Sequence, residues 1–209
     1  MEIILDKLLV IPAILIAFTA QGYSKAKMAD KLGDKTPRFQ GRLSLSPFNH
    51  IDLVGFIMIL FIGFGWTKPV ETNPSAYKRG YKDAIKVTLV SLFSMLIVAF
   101  IGSFILALFY RFGSGLHMST FKIIASILAN IIYVNVSLFI FNLLPLPGLA
   151  GFELFREINP KKFYEISGVI YRYQLPIIIG IAVIGRNVLG IPISFIANTF
   201  IKLATLIIL

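Results

Sequence analysis

Three long stretches of this chain carry no charged residue. Leu8 to Ser24, Val87 to Tyr110 and Ile123 to Phe152 are apolar, with scattered hydroxyls, amides and glycines. The last two exceed the roughly 20 residues that a helix needs to cross a bilayer. The pattern predicts helices near 3–28, 84–111, 119–145, 164–185 and 187–208. The last two of these contain Pro176, Arg186, Pro192 and Lys202, which predicts short, tilted or kinked spans. Between the first two helices lies a polar segment with a further apolar run, Leu53 to Thr67. In "FQGRLSLSP" (Phe39 to Pro47), Leu43 and Leu45 alternate with Arg42, Ser44 and Ser46, the period of a short strand at the membrane edge.

Composition turns this pattern into a class. Of 209 residues, 57% are hydrophobic and 14% charged, which describes an all-α polytopic membrane protein and not a water-soluble globule. A single integral membrane domain over 1–209 is expected, with the lipid bilayer as its first partner. Glu2 and Asp6 stand where a signal peptide would be basic, so the first helix is expected to persist in the mature protein. Without cysteine there are neither disulfides nor thiolate metal sites.

Charge sets the expected topology. Eleven of the twenty basic residues lie between Lys25 and Lys86, on both sides of the short apolar run. A full crossing by 51–66 would leave one basic loop outside, against the positive-inside rule. A re-entrant hairpin instead keeps both loops in the cytoplasm, together with Arg156, Lys161 and Lys162. The N-terminus and the connection 111–120 then lie outside the cell membrane. Backbone at membrane depth must be satisfied by protein or by a wet cavity, so a re-entrant segment implies a protein-lined pocket. The formal charge of +10, confined to the ends of apolar spans, suits anionic headgroups and not nucleic acid.

Three further stretches are informative together. "KLGDKTPRFQGRLSLSPFNHIDLVG" (Lys31 to Gly55), "GWTKPVETNP" (Gly65 to Pro74) and "FNLLPLPGLAG" (Phe141 to Gly151) resemble the site-2 protease family of intramembrane zinc metalloproteases. The likeness is to its short bacterial and archaeal branch, which has no PDZ domain. It covers about residues 8–155 and leaves 160–209 as additional C-terminal transmembrane helices. The resemblance implies a three-helix core. The first helix carries H-E-x-x-H, the second a G-P-x-x-N-like pattern, and the third ends in L-D-G. Two histidines four apart share a helix face and hold zinc, an aspartate completes the site, and the glutamate is the general base.

Aligned on "KLGD", the histidine positions fall on Gln21 and Lys25, the glutamate on Gly22 and the aspartate on Ala150. Met95 stands in the place of the cleft asparagine. The resemblance therefore implies zinc in the family and no zinc ligands here. His50 and Asp52, in "NHID", are expected to anchor the re-entrant segment by hydrogen bonds. His117 is expected in an exposed loop. Lys25 has two readings: it snorkels to the headgroups with Lys27 and Lys31, or its ammonium replaces the metal, held by Gln21 or Glu153. Gly22 reads as a packing contact that admits another backbone. Asn130, Asn135 and Asn142 read as amides that bond across helices.

A cleft for a partner segment is expected around Met95, Asn142, Pro145, Pro147, Gly148 and Gly151, which in the family pairs with an extended substrate strand. The expected function is that of a catalytically inactive homologue, a pseudoprotease that binds transmembrane or juxtamembrane segments or modulates a related active protease. An active metallopeptidase with a relocated metal site is the first alternative. A small transporter or structural subunit is the second.

Overall fold

The computed structural model describes the backbone of residues 2–208 and the side chains of residues 4–181 and 188–208. Its elements are α1 (Glu2–Lys31), α2 (Thr36–Phe39), α3 (Leu53–Ile62), α4 (Tyr81–Phe112), α5 (Met118–Asn142), α6 (Ala150–Ile158) and α7 (Pro160–Ile208). Four helical segments are long and apolar enough to cross a membrane: Ile4–Lys31, Tyr81–Gly115, Met118–Asn142 and Val188–Ile208. The protein is an all-α polytopic membrane protein.

Small and branched side chains bring α1, α4 and α5 together. Ala13, Ile14, Ala17 and Phe18 of α1 pack with Leu92 and Met95 of α4 and with Val134 and Leu138 of α5. The alanines let the backbones approach, which is how helices associate where no hydrophobic drive separates lipid from protein. Ile193 and Ala197 of α7 join a second core with Ala99, Leu106, Ile132 and Val136. The Tyr133 hydroxyl donates to Asn198 Oδ1 at 2.8 Å, and the Phe100 and Phe200 rings meet edge-on at 5.4 Å.

The C-terminal region differs from the two helices expected at 164–185 and 187–208. It is one continuous helix of 49 residues that runs through Pro176 and Pro192. Each proline removes one backbone hydrogen bond, which a long helix absorbs as a local adjustment. At 1.5 Å per residue the helix is about 74 Å long, well beyond a hydrocarbon core of about 30 Å. Its first half carries Lys161, Lys162, Glu165 and Arg172, and among the described residues Val188–Ile208 is the part that qualifies as a span. The side chain of Arg186 lies outside the described residues. Arg111, at the end of α4, donates to the Ile208 carbonyl. The end of α7 therefore sits at the end of the bundle opposite α6.

The short apolar run folds back on itself as a hairpin. Asp52 caps α3 by accepting from the Gly55 amide at 2.8 Å, and the helix stops at Gly63 in a left-handed conformation, φ 93°. The chain then returns along α3 so closely that a Cβ on Gly55 would sit 2.0 Å from the Trp66 carbonyl oxygen. The Lys68 amide donates to the His50 carbonyl at 3.0 Å, closing the hairpin at its mouth. At the tip, Ser137 Oγ donates to the Gly63 carbonyl at 3.0 Å, and Lys7 Nζ donates to the Leu60 carbonyl at 2.5 Å. Backbone carbonyls at the tip are thus satisfied by side chains of α5 and α1.

The edge strand expected at 39–47 does not form: no strand occurs among the described residues. A strand needs a neighbour to complete its ladder, and here side chains take that role. Arg42 is buried and donates to the carbonyls of Asn49, Lys68 and Pro69. Leu45 is exposed. Burial does not alternate along the segment: Leu43 and Ser44 are half-buried and Ser46 is exposed like Leu45, while the Arg42 guanidinium, with five donors, binds several carbonyls at once.

Candidate functional site

The polar centre of the molecule lies at the mouth of the hairpin, where α1, α4, α5, α6 and the return limb meet. Gln21 faces the end of α5. Its Nε2 donates to Asn142 Oδ1 at 3.0 Å, and Asn142 Nδ2 donates to the Leu138 carbonyl at 2.8 Å. One turn beyond Gln21, Lys25 is 8% exposed and grips both oxygens of Glu153 at 2.7 and 2.6 Å. Glu153 is on α6, three residues after Ala150. The two interactions tie α1 to α5 and α6.

Gln21, Gly22, Lys25, Asn142, Gly148, Ala150 and Glu153 line a cavity of about 20 Å³, with Thr67, Pro69 and Val70 of the return limb and Ser91 of α4. Gln21, Gly22, Lys25 and Ala150, far apart in sequence, thus line one cavity, as the resemblance implies. Among the described residues, however, no three His, Asp or Glu side chains come together as a metal-binding group.

His50 is fully buried against this centre. Its Nε2 lies 2.8 Å from the Ser44 carbonyl and therefore carries the proton, which leaves Nδ1 as a bare acceptor without a partner. Burial, aided by the nearby Arg42 charge, holds its pKa below the ordinary histidine value. The ring fills the space beside Gly22: a Cβ there would lie 2.2 Å from His50 Nδ1. Gly22 is a packing contact, but what it admits is an imidazole and not a backbone. Asp52 bonds the start of α3, whereas the His50 ring bonds the Ser44 carbonyl in the preceding loop. His117 lies exposed at the start of α5 and accepts from the Ser119 amide at 3.4 Å.

Beside the small cavity is a larger apolar pocket of about 330 Å³ between the return limb, the loop after α5 and the first half of α7. Trp66, Phe141, Leu146, Tyr171 and Ile178 supply most of its wall, with Asp52 and Gln174 as polar groups. Pro69 and Gly148 line both cavities. Of the residues expected in a partner cleft, Pro147 and Gly148 line this pocket and Asn142 the small cavity. Met95 is instead fully buried in the helix core, and Pro145 is exposed. Gly151 is set against the loop, where a Cβ would meet the Leu143 carbonyl oxygen at 2.3 Å.

Glu157 gave no clear signal in the sequence. One turn after Glu153, it is buried and accepts from Thr88 Oγ1 at 3.1 and 3.2 Å. Burial, reinforced by the Glu153 charge, pushes its pKa up to about 7, against the lowering effects of Thr88, Lys25 and Arg156. The amphipathic "AGFELFREI", with acids four apart, was the available hint. Asn130 donates to the Leu9 carbonyl at 3.3 Å and bonds across helices, whereas Asn135 donates within α5 to Ile131 at 2.8 Å.

The chain is 36% identical over 147 residues to "Putative zinc metalloprotease YwhC" of Bacillus subtilis (strain 168), a match covering 70% of this chain and 67% of that protein. It belongs to this zinc metalloprotease-like family. No family profile and no solved structure matches the chain. Within this metalloprotease-like family, the region of the hairpin mouth is where this chain concentrates its buried polar groups.

Proposed function

We propose that this protein is a catalytically inactive member of the site-2 protease branch, a pseudoprotease that holds membrane segments without cutting them. The observation that carries the reading is Lys25: its ammonium sits on Glu153 at 2.6–2.7 Å, one turn from Gln21, where the resemblance puts metal ligands. The residues do not suit zinc. An ammonium has no lone pair to give, Ala150 has no donor, and the one free Gln21 oxygen is a weak neutral ligand where a catalytic zinc takes about three stronger ones. Gly22 has no base to offer, and the His50 ring fills the space a side chain there would need.

The retained shape supports binding. The 330 Å³ pocket adjoins the polar centre and is mostly apolar. It suits a transmembrane or juxtamembrane segment, including one from a related active protease, in a cell membrane with the hairpin mouth toward the cytoplasm. The relative's name favours a second reading, an active metallopeptidase whose metal is bound elsewhere.

Elemental analysis of tag-free protein in mild detergent separates the two. The inactive reading expects no stoichiometric zinc, together with binding but no cleavage of a fluorescent membrane-spanning peptide. About one zinc per chain with peptide cleavage lost on His50→Ala would overturn it.

A further inference from the structure

We infer that the small cavity at Gln21 is a site for a single hydroxyl group. Asn142 sets the polarity of the site. Because its Nδ2 is committed to the Leu138 carbonyl, its Oδ1 faces Gln21 and fixes the orientation of the second amide. Gln21 must present Nε2 to Asn142, and its Oε1 is left buried with no partner. Gln21 is only 7% exposed, so bulk water does not serve that oxygen. Lys25 spends two donors on Glu153 and keeps a third N–H.

The chemistry of the missing group follows. A cavity of about 20 Å³ holds one group of water size. An acceptor-only carbonyl would leave Oε1 unpaired. A cation would face the Lys25 ammonium, and a carboxylate would face Glu153. A hydroxyl satisfies the site: it donates its proton to Gln21 Oε1 and accepts from the third N–H of Lys25. The hydroxyl has two possible sources, a water molecule or a serine or threonine of a segment lying in the adjoining pocket, since Pro69 and Gly148 border both spaces. The second source rests on the proposed binding function; the first does not.

The test uses full-length protein in micelles, labelled with ¹⁵N at glutamine and asparagine side chains. Two 20-residue Leu/Ala membrane-spanning peptides serve as probes, one with a central serine and one with alanine there. Cross-relaxation between the Gln21 or Asn142 amide and a long-lived water supports the site with solvent as occupant. Loss of that signal on adding the serine peptide, with about three- to tenfold tighter binding than the alanine peptide, supports the partner as source. Gln21→Met should level the two peptides. A serine preference without a resident water supports the site as well. Absence of both the water signal and the preference overturns it. If neither peptide binds, the binding function fails for these probes, and the water signal alone decides the inference.

Discussion

Two lysines of α1 make opposite use of the same side chain. Lys7 and Lys25 lie 18 residues apart, about 27 Å along the helix, and both turn into the protein. Lys25, at the hairpin mouth, meets a carboxylate on another helix. Lys7, at the tip, meets the Leu60 carbonyl near the C-terminus of α3 and lies 5.7 Å from the centre of the Phe61 ring. Lys25 therefore satisfies a side chain with a side chain, and Lys7 satisfies backbone with a side chain. The cost of disturbing each should differ accordingly, because an abandoned buried charge is more expensive than an abandoned carbonyl.

The hairpin that joins the two ends should be the most sensitive element. Gly55→Ala places a methyl 2.0 Å from the Trp66 carbonyl oxygen, a backbone atom that cannot rotate away. The expected loss is about 4 kcal/mol or more, or failure to assemble, read by denaturant unfolding in mild detergent. At Gly63 a Cβ would meet open space, so Gly63→Ala pays only for its positive φ, about 1–2 kcal/mol. If the two substitutions cost the same, the close return of the chain is wrong.

The next effect belongs to the mouth. Lys25→Met strands Glu153 and should destabilise by about 3 kcal/mol, whereas Lys25→Met with Glu153→Leu should recover most of it. A single and a double variant of equal stability would mean that Lys25 and Glu153 do not depend on each other. The same pair tests the snorkelling alternative, since a lysine at the headgroups would tolerate Met at little cost.

Much of the architecture was legible because hydrophobic run length and basic-loop counting are strong signals. They gave the spans near α1, α4 and α5 and the hairpin at 51–66. Two features were hidden for a physical reason. The continuity of α7 depends on how a helix absorbs Pro176 and Pro192, which is decided by its neighbours. The failed strand at 39–47 depends on Arg42 finding three carbonyls from distant segments, which no local period records. At the site, the family resemblance and not spacing brought Gln21, Lys25 and Ala150 together. The lock between His50 and Gly22 and the burial of Glu157 are tertiary, and neither follows from sequence spacing.

Glu157 sharpens the mouth through pH. Its folded pKa of about 7 lies above the ordinary value of 4.5, so the folded state binds the proton more tightly. Its contribution is fully present below about pH 4.5 and is lost as pH rises through about 7. The loss should be of the order of 2–3 kcal/mol, measured as denaturant stability at pH 5 and pH 8. Glu157→Gln should flatten this part of the profile while keeping a hydrogen bond to Thr88. A profile unchanged by the substitution would assign the titration to another group.

The smallest effect should come from the tip. Lys7→Met leaves the Leu60 carbonyl without its donor, but that oxygen lies beside a cavity of about 400 Å³ that also contains Asn130, Tyr133 and Ser137. Such a space is large enough for water to replace the lost bond. The expected cost is therefore about 1 kcal/mol, with Lys7→Arg close to neutral. The cation also sits where the α3 dipole favours positive charge, a contribution of a few tenths to 1 kcal/mol. Lys7→Gln separates the two, since it keeps a donor and loses the charge. If Gln restores stability fully, the carbonyl bond is the whole role of Lys7. If it behaves as Met does, the charge at the helix end matters more, and the contrast between the two lysines narrows to the partner each charge has chosen.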